Sequence, residues 1–247
     1  SNNDIVQDQT TRSKLMILKR ITPKRVTPVD NLPRQHLQAK SNEKLLLFFA
    51  GWGMDEHPFL HYSPVGKDLI VAHSYTDLLL DKSLLAGYQE IEIFAWSMGV
   101  WAASMVLPEL QNSNYPITTC TAINGTPFPI DDEKGIPSQL FKGTLDTLSN
   151  KTLEKFRLRM CGSKTLFNYF LERAPQRDIE DLRSELIAIE KTAGAKSAAA
   201  FQWHQIYIGK EDRIFNLENQ KRAWPGTAYT IIDATHYPEQ LFKHLLR

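Results

Sequence analysis

Residues 90–101 read Glu90-Ile91-Glu92-Ile93-Phe94-Ala95-Trp96-Ser97-Met98-Gly99-Val100-Trp101. An apolar run of strand character ends on Ser97, and a helical pattern from Met98 to Leu107 follows at once, with Pro108 expected to stop it. A strand that turns directly into a helix leaves space only for small residues on either side of the apex. Ala95 and Gly99 supply them here. This is the setting of a nucleophile elbow, with Ala95 one methyl larger than the more usual glycine. Ser97 is therefore the expected nucleophile. A serine at a helix start also serves as an N-cap, and the local pattern alone suits that role equally well.

Other runs surround this one. Leu45 to Ala50 is continuously apolar and ends at Gly51-Trp52-Gly53. Leu69–Ala72, Thr118–Ile123 before Asn124-Gly125, Gln205–Ile208 before Gly209, and Ala228–Ile232 before Asp233 read as further strands, and Tyr237–Leu246 as a closing helix. Strands alternating with helices predict an α/β fold with a mostly parallel central sheet flanked by helices. Such sheets bind ligands beyond the carboxyl ends of their strands. Residues 126–203 interrupt the alternation, with no convincing strand and with helical patterns over Leu145–Met160 and Asp178–Ala200. They are expected to form a helical lid inserted between two core strands, the alternative being ordinary crossover helices. The core is then 43–125 and 204–247. Residues 1–42 form an extension: a polar, frayed start to residue 13, a first strand over Leu15–Leu18, and a basic stretch punctuated by Pro23, Pro28 and Pro33. That stretch reads as an edge hairpin or an irregular arm.

A serine hydroxyl needs a base to take its proton, and the base needs a third group to hold it. Seven histidines are present. His236 follows the last apolar strand and precedes the closing helix, where a loop reaches the Ser97 apex. His204 begins a strand, His244 lies in the closing helix, and His57 and His61 follow the Gly-Trp-Gly turn, where they could line the mouth. The acid is sought after Gln205–Ile208. Asp212 is preferred, with Glu211 and Asp233 as alternatives. The order Ser97, Asp212, His236 is that of an α/β-hydrolase fold. Oxyanion donors are expected from the N–H of Met98, after the nucleophile, and from Trp52 in the turn after Leu45–Ala50.

Composition narrows the function classes. Lys plus Arg number 29 against 28 Asp plus Glu, a net charge of +1, which makes no general case for nucleic acid. Cys120 and Cys161 are too few for a disulfide framework and read as buried thiols. No run suggests a membrane span or a signal peptide, so the cytoplasm is the expected compartment. No zinc motif, dinucleotide fingerprint or phosphate loop is present, so no metal and no cofactor is expected.

The expected lid carries charge. Between 142 and 177 there are eight Lys or Arg against three Asp or Glu, a local net of +5. In a helix over 145–160, Leu153, Phe156 and Met160 form an apolar face, and Lys151, Lys155 and Arg159 repeat every four residues on another. That stripe is either a solvated face or a docking surface for an acidic partner, such as a carrier protein whose tethered acyl chain enters beneath the lid. Phe128, Phe141, Phe156 and Phe167 are candidate apolar walls.

Five segments carry a resemblance: Phe49-Ala50-Gly51-Trp52-Gly53, Ala95-Trp96-Ser97-Met98-Gly99-Val100-Trp101, Ala122-Ile123-Asn124-Gly125-Thr126, Phe141-Lys142-Gly143-Thr144-Leu145 and Cys161-Gly162. Over residues 43–247 the chain resembles the BioG-type pimeloyl-[acyl-carrier protein] methyl ester esterases, while residues 1–42 depart from the pattern. The resemblance implies an α/β-hydrolase fold and a serine esterase of biotin synthesis that releases methanol from a carrier-bound methyl ester. It implies Ser97, Asp212 and His236 as the triad, Trp52 as an oxyanion donor, and acyl-carrier protein as partner. Two other classes stay open: a general carboxylesterase or thioesterase on small acyl substrates, and a non-catalytic binding protein of the same fold.

Overall fold

The computed structural model describes residues 15–21 and 39–247. The readings made on residues 1–14 and 22–38 lie outside the described residues.

Seven strands form one sheet: β1 (Ile17–Ile21), β2 (Lys44–Phe49), β3 (Lys67–His73), β4 (Glu90–Trp96), β5 (Ile117–Ile123), β6 (Gln205–Gly209) and β7 (Thr230–Ile232), in spatial order β1-β3-β2-β4-β5-β6-β7. β1 pairs antiparallel with β3 at one edge, and every other pairing is parallel. This is the α/β-hydrolase arrangement, a mixed and mostly parallel sheet with helices on both faces.

β2 shows why the central strands read as continuous apolar runs. Alternate residues point to opposite faces. Leu45, Leu47 and Phe49 belong to one core cluster, and Leu46, Phe48 and Ala50 to the other. A strand covered on both faces cannot afford polar alternation.

The helices are α1 (Met98–Asn112), α2 (Ser138–Asp146), α3 (Asn150–Cys161), α4 (Lys164–Leu171), α5 (Ile179–Ala195), α6 (Leu217–Ala223) and α7 (Glu239–Leu245). Three expectations need correction. α1 runs through Pro108. The proline forfeits one helical bond, and buried Leu107 and Leu110 on either side hold the segment on the sheet. The single helix expected over 145–160 is instead α2 and α3. The break falls where Ser149 and Thr152 form a reciprocal capping box that starts α3 afresh, and left-handed Gly162 ends it. The helical pattern over 178–200 is α5, which stops at Ala195. α4, with Ser163 as its cap, was not anticipated.

Helices α2 to α5 all fall between β5 and β6 in the chain. α3 is tied to the loop after β7: Tyr237 N–H donates to the Met160 carbonyl at 3.1 Å. A Cβ on Gly162 would stand 2.4 Å from a methyl of Thr235.

Candidate active site

The turn after β4 places Ser97 at its apex with φ 59° and ψ −129°, a conformation disfavoured for any residue with a side chain. The Ser97 hydroxyl makes no capping bond to α1. The N-cap reading therefore fails for the side chain, which is directed elsewhere. Three glycines allow the crowding at this apex. A Cβ on Gly99 would meet the Phe49 carbonyl oxygen at 2.2 Å, one on Gly125 would meet the Ser97 carbonyl oxygen at 2.1 Å, and one on Gly51 would meet Ser97 Cβ at 3.2 Å.

Ser97 Oγ lies 2.8 Å from His236 Nε2, and His236 Nδ1 lies 2.8 Å from Asp212 Oδ2. A carboxylate can only accept, so Nδ1 carries the proton and Nε2 is left as the acceptor for the serine hydroxyl. Asp212 is 5% exposed and His236 2%. Every strong acceptor position of Asp212 is used. Oδ1 takes the N–H groups of Ile214 (2.8 Å) and Phe215 (3.0 Å), and Oδ2 takes Gln220 Nε2 (3.0 Å) besides the imidazole. The Phe215 ring stacks on His236 at 6.1 Å, with Trp96 on the ring at 5.5 Å. The other two acids considered, Glu211 and Asp233, are exposed.

Three side chains fix the His236 loop that sequence reading had not assigned. Trp96 Nε1 donates to the His236 carbonyl at 2.8 Å. Asn124 Nδ2 donates to the carbonyls of Thr235 (2.9 Å) and His236 (3.2 Å), while its Oδ1 accepts the Gly209 N–H at 2.6 Å. Gln220 binds both Asp212 and the Phe215 carbonyl. Asn124 stands at the carboxyl end of β5, the same kind of position that singled out the triad, so the signal for it was present.

The other histidines considered, His204, His61, His57 and His244, fall away from the triad. His204 Nδ1 accepts from the Cys120 N–H, and His61 Nε2 bonds the Tyr169 hydroxyl. His57 Nδ1 sits 3.1 Å from Asp55, and His244 is exposed on α7.

Beside Ser97 opens a cavity lined by Trp52, Met98, Ile136, Leu140, Phe141, Phe156, Met160, Leu186 and Ile214, with Arg159 and Arg213 the charged members. Phe141 and Phe156 are among the lining residues. Phe128 instead lines a second groove with Trp101 and Ile130, and Phe167 packs with Met160 and Phe170 in the core. Met98 begins α1, so its N–H has no acceptor within the helix. In the turn after β2, the Gly53 N–H is bound to Glu185 Oε1 (3.1 Å) and the Met54 N–H to the Gly51 carbonyl (3.3 Å). Both are thereby committed, and Trp52 remains that turn's candidate donor. On α3, Lys151, Lys155 and Arg159 are all exposed. Arg177 leaves the basic surface, since its side chain is 5% exposed and pairs with Asp181 and Glu185. No helix among the described residues is long and apolar enough to cross a membrane.

A buried Ser-His-Asp relay at the carboxyl ends of β4, β6 and β7 is serine-hydrolase machinery on an α/β-hydrolase fold. Within that class, residues 33–246 match the family described as pimeloyl-ACP methyl esterase BioG, and the chain belongs to that family. The match begins at 33, upstream of residue 43, so part of the supposed N-terminal extension belongs to the family pattern.

A structure of BioG from Haemophilus influenzae is 33% identical with a TM-score of 0.73, covering 83% of this chain and 96% of that one. A malonyl-[acyl-carrier protein] O-methyltransferase of Bacteroides fragilis (strain 638R) is 50% identical over 206 residues, which cover 83% of this chain and 41% of that protein. The chain therefore spans less than half the length of that curated relative. A hydrolase from Oleispira antarctica, 16% identical with a TM-score of 0.53, shares the fold, covering 83% of this chain and 92% of its own.

Proposed function

We propose that this chain is a serine carboxylesterase that hydrolyses the methyl ester of pimeloyl-[acyl-carrier protein], releasing methanol and leaving the free carboxylate on its carrier. The carrying observation is the hydrogen-bonded Ser97–His236–Asp212 relay opening into an apolar cavity, in a chain of the BioG family. His236 takes the Ser97 proton as Oγ attacks the ester carbonyl. The N–H groups of Trp52 and Met98 would stabilise the oxyanion, where a single donor is worth roughly 10²–10³ in rate. His236 then protonates departing methanol, and a water activated by the same imidazole releases the acid. In this reading α2 to α5 act as a lid, and the apolar side chains Phe141, Phe156 and Met160, with Ile136 just before α2, receive the acyl chain.

The exposed stripe of Lys151, Lys155 and Arg159 is the proposed docking surface for the acidic carrier. Leu158, 44% exposed on the same helix, adds an apolar contact. Arg159 also lines the cavity, which supports a docking surface beside it.

The test compares methanol release from the carrier-bound methyl ester and from a short soluble ester, in wild type and in a Lys151→Glu, Lys155→Glu double variant that spares the cavity-lining Arg159. The expected result is a large loss of kcat/KM on the carrier substrate, little change on the short ester, and carrier activity that falls with salt. Equal processing of the carrier substrate by variant and wild type would remove α3 as the docking surface. Wild-type activity that is indifferent to the carrier would remove the substrate assignment.

A further inference from the structure

Among the described residues the most deeply buried acid outside the triad is Glu185. Glu185 is 0% exposed and sits on the apolar stripe of α5 among Leu182, Leu186 and Ile189. A carboxylate in such a place is costly unless its lone pairs are engaged. Oε1 accepts the Gly53 N–H at 3.1 Å and the Arg177 guanidinium at 2.8 Å, and Oε2 accepts the Tyr75 N–H at 2.8 Å. α5 and the residues leading into it make two more bonds to the same turn. Trp52 Nε1 donates to the Leu182 carbonyl at 3.0 Å, and Arg177 donates to the Met54 carbonyl at 3.0 Å. Trp52 by its indole, Gly53 by its amide and Met54 by its carbonyl are thus each held by α5 or the residues leading into it.

The turn needs such restraint. Trp52 stands between Gly51 and Gly53, and Gly53 has φ +77°. Glycine has the widest conformational freedom of any residue, so this backbone does not fix itself. An oxyanion donor is effective only when it is held in place before the charge develops. The bond from Glu185 to the Gly53 N–H orients the peptide on the carboxyl side of Trp52, and the indole bond fixes the side chain. Tyr75, the other ligand of Glu185, also donates its hydroxyl to the Ala50 carbonyl at the end of β2.

We propose that Glu185, held in place by Arg177, is a positioning residue that sets the oxyanion turn. The inserted helices would then contribute to the rate of the chemical step as well as to covering the cavity. The proposal rests on the esterase reading with Trp52 as a donor.

The experiment uses the full chain with p-nitrophenyl butyrate as substrate, so that the carrier plays no part. Active sites are counted by fluorophosphonate labelling of Ser97, and folding is followed by thermal melting. In Glu185→Gln the amide can no longer accept with both ends. Per labelled site, kcat should fall about 10- to 100-fold with KM nearly unchanged, the signature of an interaction made in the transition state. The affinity for a trifluoromethyl ketone, whose adduct carries an oxyanion, should fall by the same factor. The His236 limb of the pH profile should not move. A purely structural role would lower the melting temperature and the number of labelled sites and leave per-site kcat and ketone affinity intact. That result would overturn the proposal, as would a loss carried by KM. If Glu185→Gln is not recovered folded, Glu185→Asp decides the matter, because it keeps Arg177 paired while shortening the reach to Gly53. A wild type that cleaves the short ester but no carrier-bound methyl ester overturns the substrate assignment alone, whereas an unaffected per-site kcat in the variants overturns the clamp alone.

Discussion

Gly99→Ala is the most demanding test of the elbow geometry. The added Cβ would lie 2.2 Å from the Phe49 carbonyl oxygen, 2.6 Å from that of Ala50 and 2.7 Å from the Phe49 carbonyl carbon. Close carbon–oxygen contacts in proteins fall at about 3.3–3.6 Å. Roughly 1 Å of movement is therefore required, and all three obstacles are backbone atoms, so no rotamer change relieves them. Either α1 moves away, carrying Ser97 with it, or the end of β2 moves, carrying Gly51-Trp52-Gly53. Both movements alter the relation between nucleophile and oxyanion turn. A misplacement of about 1 Å costs on the order of 100-fold in rate, and overpacking of this kind costs about 1–3 kcal/mol of stability. For a chain of this length that corresponds to a melting temperature lower by about 2–12 °C.

The assay is kcat per labelled serine on a short ester, with a melting curve alongside. Gly143→Ala is the control. It lies in α2 with nothing within 4 Å of the added Cβ, and it should gain about 0.5–1 kcal/mol with activity unchanged. Wild-type kcat and melting in Gly99→Ala would refute the reasoning. So would an equal loss in Gly143→Ala, which would mean that glycine content rather than close approach was being measured.

Three further outcomes are expected. Ser97→Gly should abolish ester turnover yet melt above wild type, because φ 59° and ψ −129° are strained for serine at a cost of about 1–3 kcal/mol and free for glycine; an unchanged or lower melting temperature would contradict the strain. Asn124→Gly keeps the left-handed φ of 47° accessible but orphans the Thr235 carbonyl and the Gly209 N–H, at about 1–3 kcal/mol for each buried group, and leaves the His236 carbonyl to Trp96 Nε1 alone, so kcat and stability should drop together; stability falling while per-site kcat holds would show that the His236 loop needs no such tie. The His73 imidazole, 3.3 Å from Glu56, holds that carboxyl down to about 2 from its ordinary 4.5 against the opposing effect of burial. A depressed folded-state pKa contributes stability that is fully present above pH 4.5 and is lost as pH falls toward 2. The melting difference between wild type and Glu56→Gln should therefore be constant from pH 7 to about 5 and shrink below it, and a difference that grows on acidification would reverse the assignment.

The triad was legible because each member ends a strand whose burial on both faces leaves an unbroken apolar run. β4, β6 and β7 deliver Ser97, Asp212 and His236 to one edge of the sheet, and parallel pairing guarantees that these ends coincide. The inserted segment was less legible. Periodicity over 145–160 continues smoothly across Thr147–Ser149, and only the hydrogen bonds of the Ser149–Thr152 box reveal that two helices meet there. Counting phenylalanines could not say which way they point. Phe156 lies on the expected apolar face and reaches the cavity, while Phe167, of the same residue type, turns into the core. Glu185 left a signal that periodicity does not weigh. An acid three residues after Leu182 and one before Leu186 interrupts an apolar stripe, and an acid so placed needs a buried partner.

Selectivity under the proposed function has to come from this inserted segment. The sheet carries the triad, and most of the apolar side chains around the cavity come from the segment between β5 and β6. The cavity walls contributed by α2, α3 and α5 are mostly apolar. A neutral methyl ester gains from entering such walls, whereas the carboxylate left by hydrolysis loses hydration there without a matching partner. Binding thus favours the substrate over the product at the reacting end of the chain. The charged members of the lining, Arg159 and Arg213, complicate that preference. Arg159 is exposed on α3 in line with Lys151 and Lys155, so its guanidinium reaches solvent even though the residue lines the cavity. An arginine at the mouth suits the anionic groups of a tethered carrier, while the aromatic and aliphatic walls suit the acyl chain. The same short helix then serves both needs. Under the proposed function its amphipathicity would separate them by face, with Phe156 and Met160 facing the acyl chain, Lys155 facing the carrier, and Arg159 between the two.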